Sequence, residues 1–289
     1  MRKDKPTSFS GRPRRRPRPP SRRDRQEFST ALAVALRTRI FGRRIHYFDE
    51  VDSTNTVARQ LAREGAREGA VVVADGQTKG RGRLGKTFFS PPGVNLYLSL
   101  VLRPNLAPPQ VPRLTLVAGV AVAQTVESFA GVQPSLKWPN DTLLCGRKVS
   151  GILTEMEMEG AGVGSVVVGI GVNLNCPEEV FPRELRATAT SILIETGKKV
   201  DRAAFAAELL GRLEDQYFSL LDQGFEPARS LWDTYCHLAG KTVRVSDGAS
   251  RVEGRVCGLD KDGALVLEAE AGQRLRVVAG EVTVLGAGG

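Results

Sequence analysis

Apolar residues at four-residue steps, Leu32, Leu36 and Ile40, predict a helix over residues 28–40. Ile45 to Val51 reads as a short strand. Ser53-Thr54 can cap a following helix whose buried stripe is Val57, Ala58, Leu61 and Ala62. The unbroken run Ala70-Val71-Val72-Val73-Ala74 predicts a buried strand, and a further strand pattern lies around Val94 to Leu102. Val111 to Phe129 is apolar enough for a long helix packed on a sheet. Leu136 to Asp141 reads as extended chain turning at Pro139. Lys148–Met158 and Ser165–Asn173 pattern as two strands joined across Glu159-Gly160-Ala161-Gly162. Asp201 to Leu221 is amphipathic, with Phe205, Leu209, Leu213 and Phe218 on or near one face, and another helix spans roughly Pro227 to Tyr235.

The period changes after Gly240. Val243/Val245, Val252/Val256, Leu265/Leu267, Leu275/Val277 and Val282/Val284 alternate with polar residues, and Asp247-Gly248 and Asp262-Gly263 supply turns. A small all-β unit of about five strands is predicted over 240–289, similar to an SH3-like barrel. Its core is too small to stand alone, so it is expected to dock on a larger domain at 28–239.

Charge changes the picture at one end. The chain of 289 residues carries a net charge of +9. Residues 1–27 hold eleven Lys and Arg against three Asp and Glu, so most of the excess sits there and the remainder is nearly neutral. This Arg/Pro-rich segment cannot bury a core and is expected to be a disordered tail. It reads either as a solvated tail or as a loose contact for nucleic acid or an acidic surface. No apolar run approaches the ~20 residues of a membrane span, and the N-terminus shows no apolar leader. A cytoplasmic protein with no membrane partner is expected. Cys145, Cys176, Cys236 and Cys257 lack close spacing, and His46 and His237 lie far apart. Zinc binding and His-based acid–base chemistry are therefore disfavoured.

Residues 80–87, Gly-Arg-Gly-Arg-Leu-Gly-Lys-Thr, fit both a dinucleotide-binding turn and a P-loop. Both motifs need a helix directly after the glycines. Here Phe88-Phe89-Ser90-Pro91-Pro92-Gly93 follows, and then a strand pattern, so no useful helix can form. The segment is read instead as a mobile, arginine-bearing loop that binds an anion.

Five segments in order carry a family resemblance. They are Ser53-Thr54-Asn55; Gln77 to Gly85; Lys137-Trp138-Pro139-Asn140-Asp141; Arg147 to Leu153; and Gly169 to Asn175. Together they closely resemble biotin–protein ligase over about residues 40 to 285. The resemblance implies an α+β fold with a mixed β-sheet flanked by helices, class II aminoacyl-tRNA-synthetase-like, carrying a small C-terminal SH3-like barrel. It implies ATP, Mg²⁺ and biotin as ligands, biotinoyl-5′-AMP as the intermediate, and a biotin carboxyl carrier protein as acceptor. No enzyme-bound covalent intermediate is implied, so catalysis rests on positioning and charge neutralisation.

By the same resemblance, Ser53, Thr54 and Gln77 bind the ureido ring, with Asn55 beside them. Gly80, Arg81, Gly82 and Arg83 form a loop that closes over biotin and the adenylate, its glycines allowing close approach. Lys148, followed by Gly151, reaches the biotin carboxylate and α-phosphate. Lys137, Asn140, Phe88 and Asn173 fall on the nucleotide side. Asp141 either coordinates Mg²⁺ or orients a lysine. Arg81, Arg83, Lys148 and Asp141 are the expected catalytic set. Trp138 reads as a packing anchor, and Gly169 and Gly171 as backbone lying close to biotin or the base. Many members carry Trp where Phe88 stands, which puts adenine affinity in question. Members that repress transcription carry a helix-turn-helix domain ahead of the ligase. The Arg/Pro-rich start does not fit one, so no specific DNA partner is expected. A lipoate-type acyl ligase and a biotin-responsive regulator are the alternatives, and a homodimer is left open.

Overall fold

A computed structural model describes residues 22–285, apart from 249 and 271. Seven strands form the main sheet: β1 (Ile45–Val51), β2 (Val71–Gln77), β3 (Leu96–Leu102), β4 (Ser135–Lys137), β5 (Asp141–Leu144), β6 (Arg147–Glu159) and β7 (Gly162–Val172). Their order is β1-β2-β3-β7-β6-β5-β4. Only β1 and β2 pair in parallel; every other ladder is antiparallel. The helices are α1 (Arg22–Ala35), α2 (Thr54–Arg63), α3 (Pro112–Ala130), α4 (Ile192–Thr196), α5 (Arg202–Gln223) and α6 (Glu226–Tyr235).

Strand parity divides the core into two layers. Leu96, Leu98, Leu100 and Leu102 of β3 join Val166, Val168, Ile170 and Val172 of β7 in packing with α1, α3 and α5. The alternate positions, Val101 and Val167, pack with Val72 and with Ala58 and Ala62 of α2. The second face also carries Ser99, Gly169, Gly171 and Gly151, which leave open volume where α2 begins.

The first helix departs from its periodicity. It spans Arg22–Ala35 instead of 28–40, so residues 22–27 belong to a helix and not to the expected tail. Residues 1–21, which hold the Arg/Pro-rich centre of that tail, lie outside the described residues. The helix stops because Glu214 of α5 accepts backbone N–H groups from Arg39, Ile40 and Phe41 at 2.5, 2.7 and 2.8 Å. Those donors would otherwise have continued the helical ladder.

The C-terminal strands are β8 (Thr242–Ser246), β9 (Arg251–Leu259), β10 (Leu265–Glu268), β11 (Arg274–Val277) and β12 (Glu281–Val284). They form an antiparallel five-stranded sheet in the order β11-β10-β9-β8-β12. Val243, Val245, Val256, Leu265, Leu267 and Val282 belong to the same hydrophobic cluster as α3 and α5. The small unit is therefore docked, as its size demanded. Trp138 Nε1 donates to Gly263 O at 3.1 Å, and Arg113 pairs with Asp262 at 2.6 Å across the junction. Trp138 is 3% exposed, so it anchors the packing while still lining the cavity beside it.

Candidate active site

The open volume on the second face is a cavity of about 380 Å³. It is lined by Ser53, Thr54, Asn55, Gln77, Arg81, Gly82, Arg83, Phe88, Lys137, Asn140, Asp141, Lys148 and Gly151, so it gathers all but two of the sequence-expected site residues. Gly80 and Asn173 are the two that do not line it.

One wall is polar and internally bonded. Ser53 is the N-cap residue of α2, but its side chain makes no capping bond. Gln77 does that work from the end of β2: its Oε1 accepts from Thr54 N–H at 2.9 Å and from Thr54 Oγ1 at 3.2 Å. The expectation that Ser53 caps the helix is corrected, because the neighbouring strand supplies the acceptor. Ser99 Oγ lies 2.7 Å from Thr54 Oγ1 and 2.6 Å from Asn55 Oδ1. Asn55 Nδ2 donates to Leu153 O at 3.1 Å and to Glu155 Oε2 at 2.8 Å. Ser53, Thr54 and Asn55 are all buried, so these polar atoms face the cavity or one another rather than bulk water.

The Gly/Arg loop leaves β2 and returns as a small hairpin, with no helix after its glycines. Phe88 N–H donates to Gly80 O at 2.9 Å and Gly82 N–H to Lys86 O at 2.7 Å. At its tip, Leu84 is exposed and adopts φ of 53°. A side chain on Gly80 would put its Cβ 2.4 Å from Phe88 O, which explains the glycine without a direct ligand role. The guanidinium of Arg81 turns to Glu155, 2.5 Å away. Arg83 points inward, within 3.4 Å of Asn140 Oδ1 and 3.3 Å of Gly280 O. Burial lowers the Arg83 guanidinium below its ordinary pKa, while Asp141 and Glu281 act in the opposite sense.

The opposite wall is cationic. Lys148 is pinned through its backbone, donating to Thr188 O at 2.7 Å and accepting from Thr190 N–H at 2.9 Å. Its Nζ lies 2.6 Å from Asp141 Oδ1 and 6.0 Å from the Phe88 ring centroid. Asn140 Nδ2 donates to Ile152 O at 3.0 Å, fixing the turn that carries Asp141. The floor is glycine. A Cβ on Gly171 would meet the Phe88 ring at 2.5 Å, and one on Gly169 would meet Asn55 Oδ1 at 1.9 Å. Gly169→Ala is therefore expected to destabilise the fold by roughly 1–3 kcal/mol through overpacking. Urea unfolding checks this; an unchanged midpoint would show that Asn55 can move aside at no cost.

A second cavity of about 380 Å³ adjoins the first across Phe88, Lys137, Asp141 and Lys148, which line both. Asn173 lines this second space beside Phe181 and Thr188. Its amide is already engaged, accepting from Asn95 Nδ2 at 3.1 Å and donating to Thr190 O at 3.0 Å. It holds the wall in place.

Glu155, Ser99 and the segment Gly280–Thr283 were not anticipated. Parity along β6 places Glu155 on the same face as Gly151 and Leu153, and parity along β3 separates Ser99 from its leucine neighbours. Those signals were available. Gly280 to Thr283 reach the cavity only through docking of the second sheet, for which no local pattern exists.

The fold and this arrangement of polar wall, cationic wall and glycine-arginine loop define a class. The sequence profile of the Biotin/lipoate A/B protein ligase family matches residues 47–173, and that of the Biotin protein ligase C terminal domain matches residues 239–285. The chain belongs to the biotin protein ligase family, a family of ligases. It is 41% identical over 241 residues to the bifunctional ligase/repressor BirA of Bacillus spizizenii, covering 83% of this chain and 74% of that protein. It is 37% identical over 228 residues to the biotin–[acetyl-CoA-carboxylase] ligase of Paracoccus denitrificans, covering 78% and 94%. The solved biotin protein ligase of Aquifex aeolicus, in complex with biotin and ATP, matches with a TM-score of 0.72 and 30% identity over 84% of this chain and 99% of that one. The expected mixed sheet with a small C-terminal β unit is the fold found.

Proposed function

We propose that the chain joins biotin to AMP and then transfers the biotinoyl group to a lysine of a carrier protein. One observation carries the reading: a buried hydrogen-bonding wall and several cationic side chains share a single cavity. Ser53, Thr54 and Gln77 suit a small neutral ring with both donors and acceptors. Lys148, Lys137 and Arg83 suit a carboxylate meeting a triphosphate. The Bacillus, Paracoccus and Aquifex relatives named above support the same reading.

In the first step a biotin carboxylate oxygen attacks the α-phosphorus of ATP. A P–O bond forms, the bond to the β-phosphate breaks and pyrophosphate leaves. Two anions must approach, so charge neutralisation is the enzyme's task. Lys148, oriented by Asp141, supplies a fixed positive charge where the two meet. Arg83, held by Asn140 and Gly280, supplies a second. Arg81, occupied by Glu155, contributes its backbone N–H and its hold on the loop. In the second step the neutral amine of the carrier lysine attacks the acyl carbon; a C–N bond forms, the acyl C–O bond to phosphate breaks, AMP leaves and the nitrogen releases one proton to solvent. The hairpin loop keeps water from the mixed anhydride until then. Its arginines and glycines make the loop the part that must open for exchange.

Magnesium fits only as a companion of the nucleotide. Among the described residues no group of three or more His, Cys, Asp or Glu is placed to hold a metal. Asp141 is a carboxylate of the cavity that would hold such an ion, which would neutralise phosphate charge, and its pairing with Lys148 favours the lysine-orienting role.

ATP–pyrophosphate exchange with biotin, lipoate or no added acid tests the reading. Exchange that requires biotin is expected. Exchange driven by lipoate would move the chain to the lipoate side of the family. Exchange with neither acid, in folded protein with Mg²⁺, would overturn the enzymatic reading.

A further inference from the structure

The Gly/Arg loop is tied at both arms to one continuous chain of hydrogen bonds. From the first arm, Arg81 reaches Glu155 Oε2 at 2.5 Å. The same oxygen accepts from Asn55 Nδ2 at 2.8 Å, and Arg59 holds the other oxygen at 3.3 Å. From Asn55 the chain runs through Ser99 to Thr54, and from Thr54 to Gln77. Gln77 Nε2 donates to Ser90 Oγ at 2.9 Å, and Ser90 Oγ donates to Phe88 O at 2.9 Å. Phe88 and Ser90 belong to the second arm.

We propose that Glu155 is a positioning residue that couples occupancy of the ureido pocket to closure of the Gly/Arg loop. The proposal rests on the functional reading above for the identity of the ligand, but the tie itself is made entirely by the protein's own groups. Glu155 does not itself line the cavity, but it accepts hydrogen bonds from two residues that do, Arg81 and Asn55. It acts through Arg81, which carries the loop, and through Asn55, which faces the pocket. A ligand that hydrogen-bonds Thr54, Asn55 or Gln77 fixes the orientation of the amides and hydroxyls between the two arms. Fixing them strengthens the acceptors offered to the loop, because neighbouring hydrogen bonds polarise one another. Without Glu155, Arg81 loses its charged acceptor and the first arm keeps the backbone bonds of its own hairpin and those from Thr78 N–H to Val51 O and Lys79 N–H to Asp52 O.

The test uses the full chain with Glu155→Ala, Glu155→Gln and, as a control, Arg63→Ala. Arg63 pairs with Glu157 at 2.7 Å on the same strand, away from the loop. Glu155→Ala is expected to speed tryptic cleavage between Lys79 and Lys86 in the ligand-free protein by roughly 10-fold, and to raise KM for biotin by about 10- to 100-fold, as loss of a charge-assisted bond implies. KM for ATP should stay within about twofold, since the proposal leaves the nucleotide side intact. Glu155→Gln keeps an acceptor without the charge and should fall between wild type and Glu155→Ala. Arg63→Ala should match wild type in all three readouts. Unchanged loop cleavage in Glu155→Ala would overturn the proposal, whatever the ligand. So would KM values for biotin and ATP rising together with a lowered melting temperature, which would mark Glu155 as structural only. If wild type shows no biotin-dependent exchange, the functional reading fails while the cleavage rates still decide the tie.

Discussion

Lys148→Ala is expected to lower biotin-dependent ATP–pyrophosphate exchange by about 10²- to 10³-fold, the loss typical of removing one preorganised charge donor. The lysine is unusually well fixed. Its backbone is bonded on both sides to the 188–190 segment, and its ammonium is paired with Asp141. Side-chain entropy that a surface lysine would lose on meeting an anion has thus already been lost in folding. The loss should fall on kcat more than on KM for biotin, because the polar wall that selects the ring is untouched. Asp141→Asn should cost less, about 10-fold, since it leaves the ammonium present but less firmly oriented. Single-turnover measurement of adenylate formation, alongside the melting temperature, checks both. Equal loss in the two variants with kcat unchanged would assign Lys148 to ground-state binding alone.

Much of this site was legible because its parts are local. The Gly/Arg loop, the Lys137-to-Asp141 turn and the stretch around Lys148 are each short, and a turn or a strand presents its residues in a fixed way. The refusal of a helix after Gly85 could be read from Pro91, Pro92 and Gly93 alone, and the chain passes into β3 as those residues require. Long helices were legible for the same reason: α3 and α5 repeat their apolar positions over many turns, and their ends differ from the sequence reading by at most two residues. What could not be read were contacts made across the fold. Gln77 replaces Ser53 as the acceptor at the start of α2 only because β2 ends beside it. Arg83 meets Gly280, 197 positions away, through docking of the second sheet. Lys86 pairs with Glu281 at 2.6 Å by the same route. Arg81 was assigned to the anion by its motif, whereas the fold gives its guanidinium a carboxylate on β6.

The early end of α1 has the same origin and leads to a prediction about stability. Glu214 is 5% exposed and accepts three consecutive backbone N–H groups. Glu214→Ala should destabilise the protein by about 1–3 kcal/mol, because it leaves the buried Phe41 N–H and the part-buried N–H groups of Arg39 and Ile40 without this acceptor. Burial alone would raise the pKa of this carboxyl, but the backbone donors of Arg39, Phe41 and Ile40, with the Arg39 charge, outweigh it and the net shift is downward. A carboxyl depressed in the folded state binds its proton more readily when unfolded, so stability rises with pH across that interval. The stabilisation is fully present above the unfolded value of about 4.3 and is lost as pH falls through the lower folded value. Glu214→Gln cannot titrate. Its deficit relative to wild type should therefore be constant from pH 7 to about 5 and narrow steadily below about 4. Urea unfolding of both proteins across that range measures the gap directly. A gap that stays constant into acid would mean that the three amides are held by shape and neutral hydrogen bonding, with the charge of Glu214 contributing nothing.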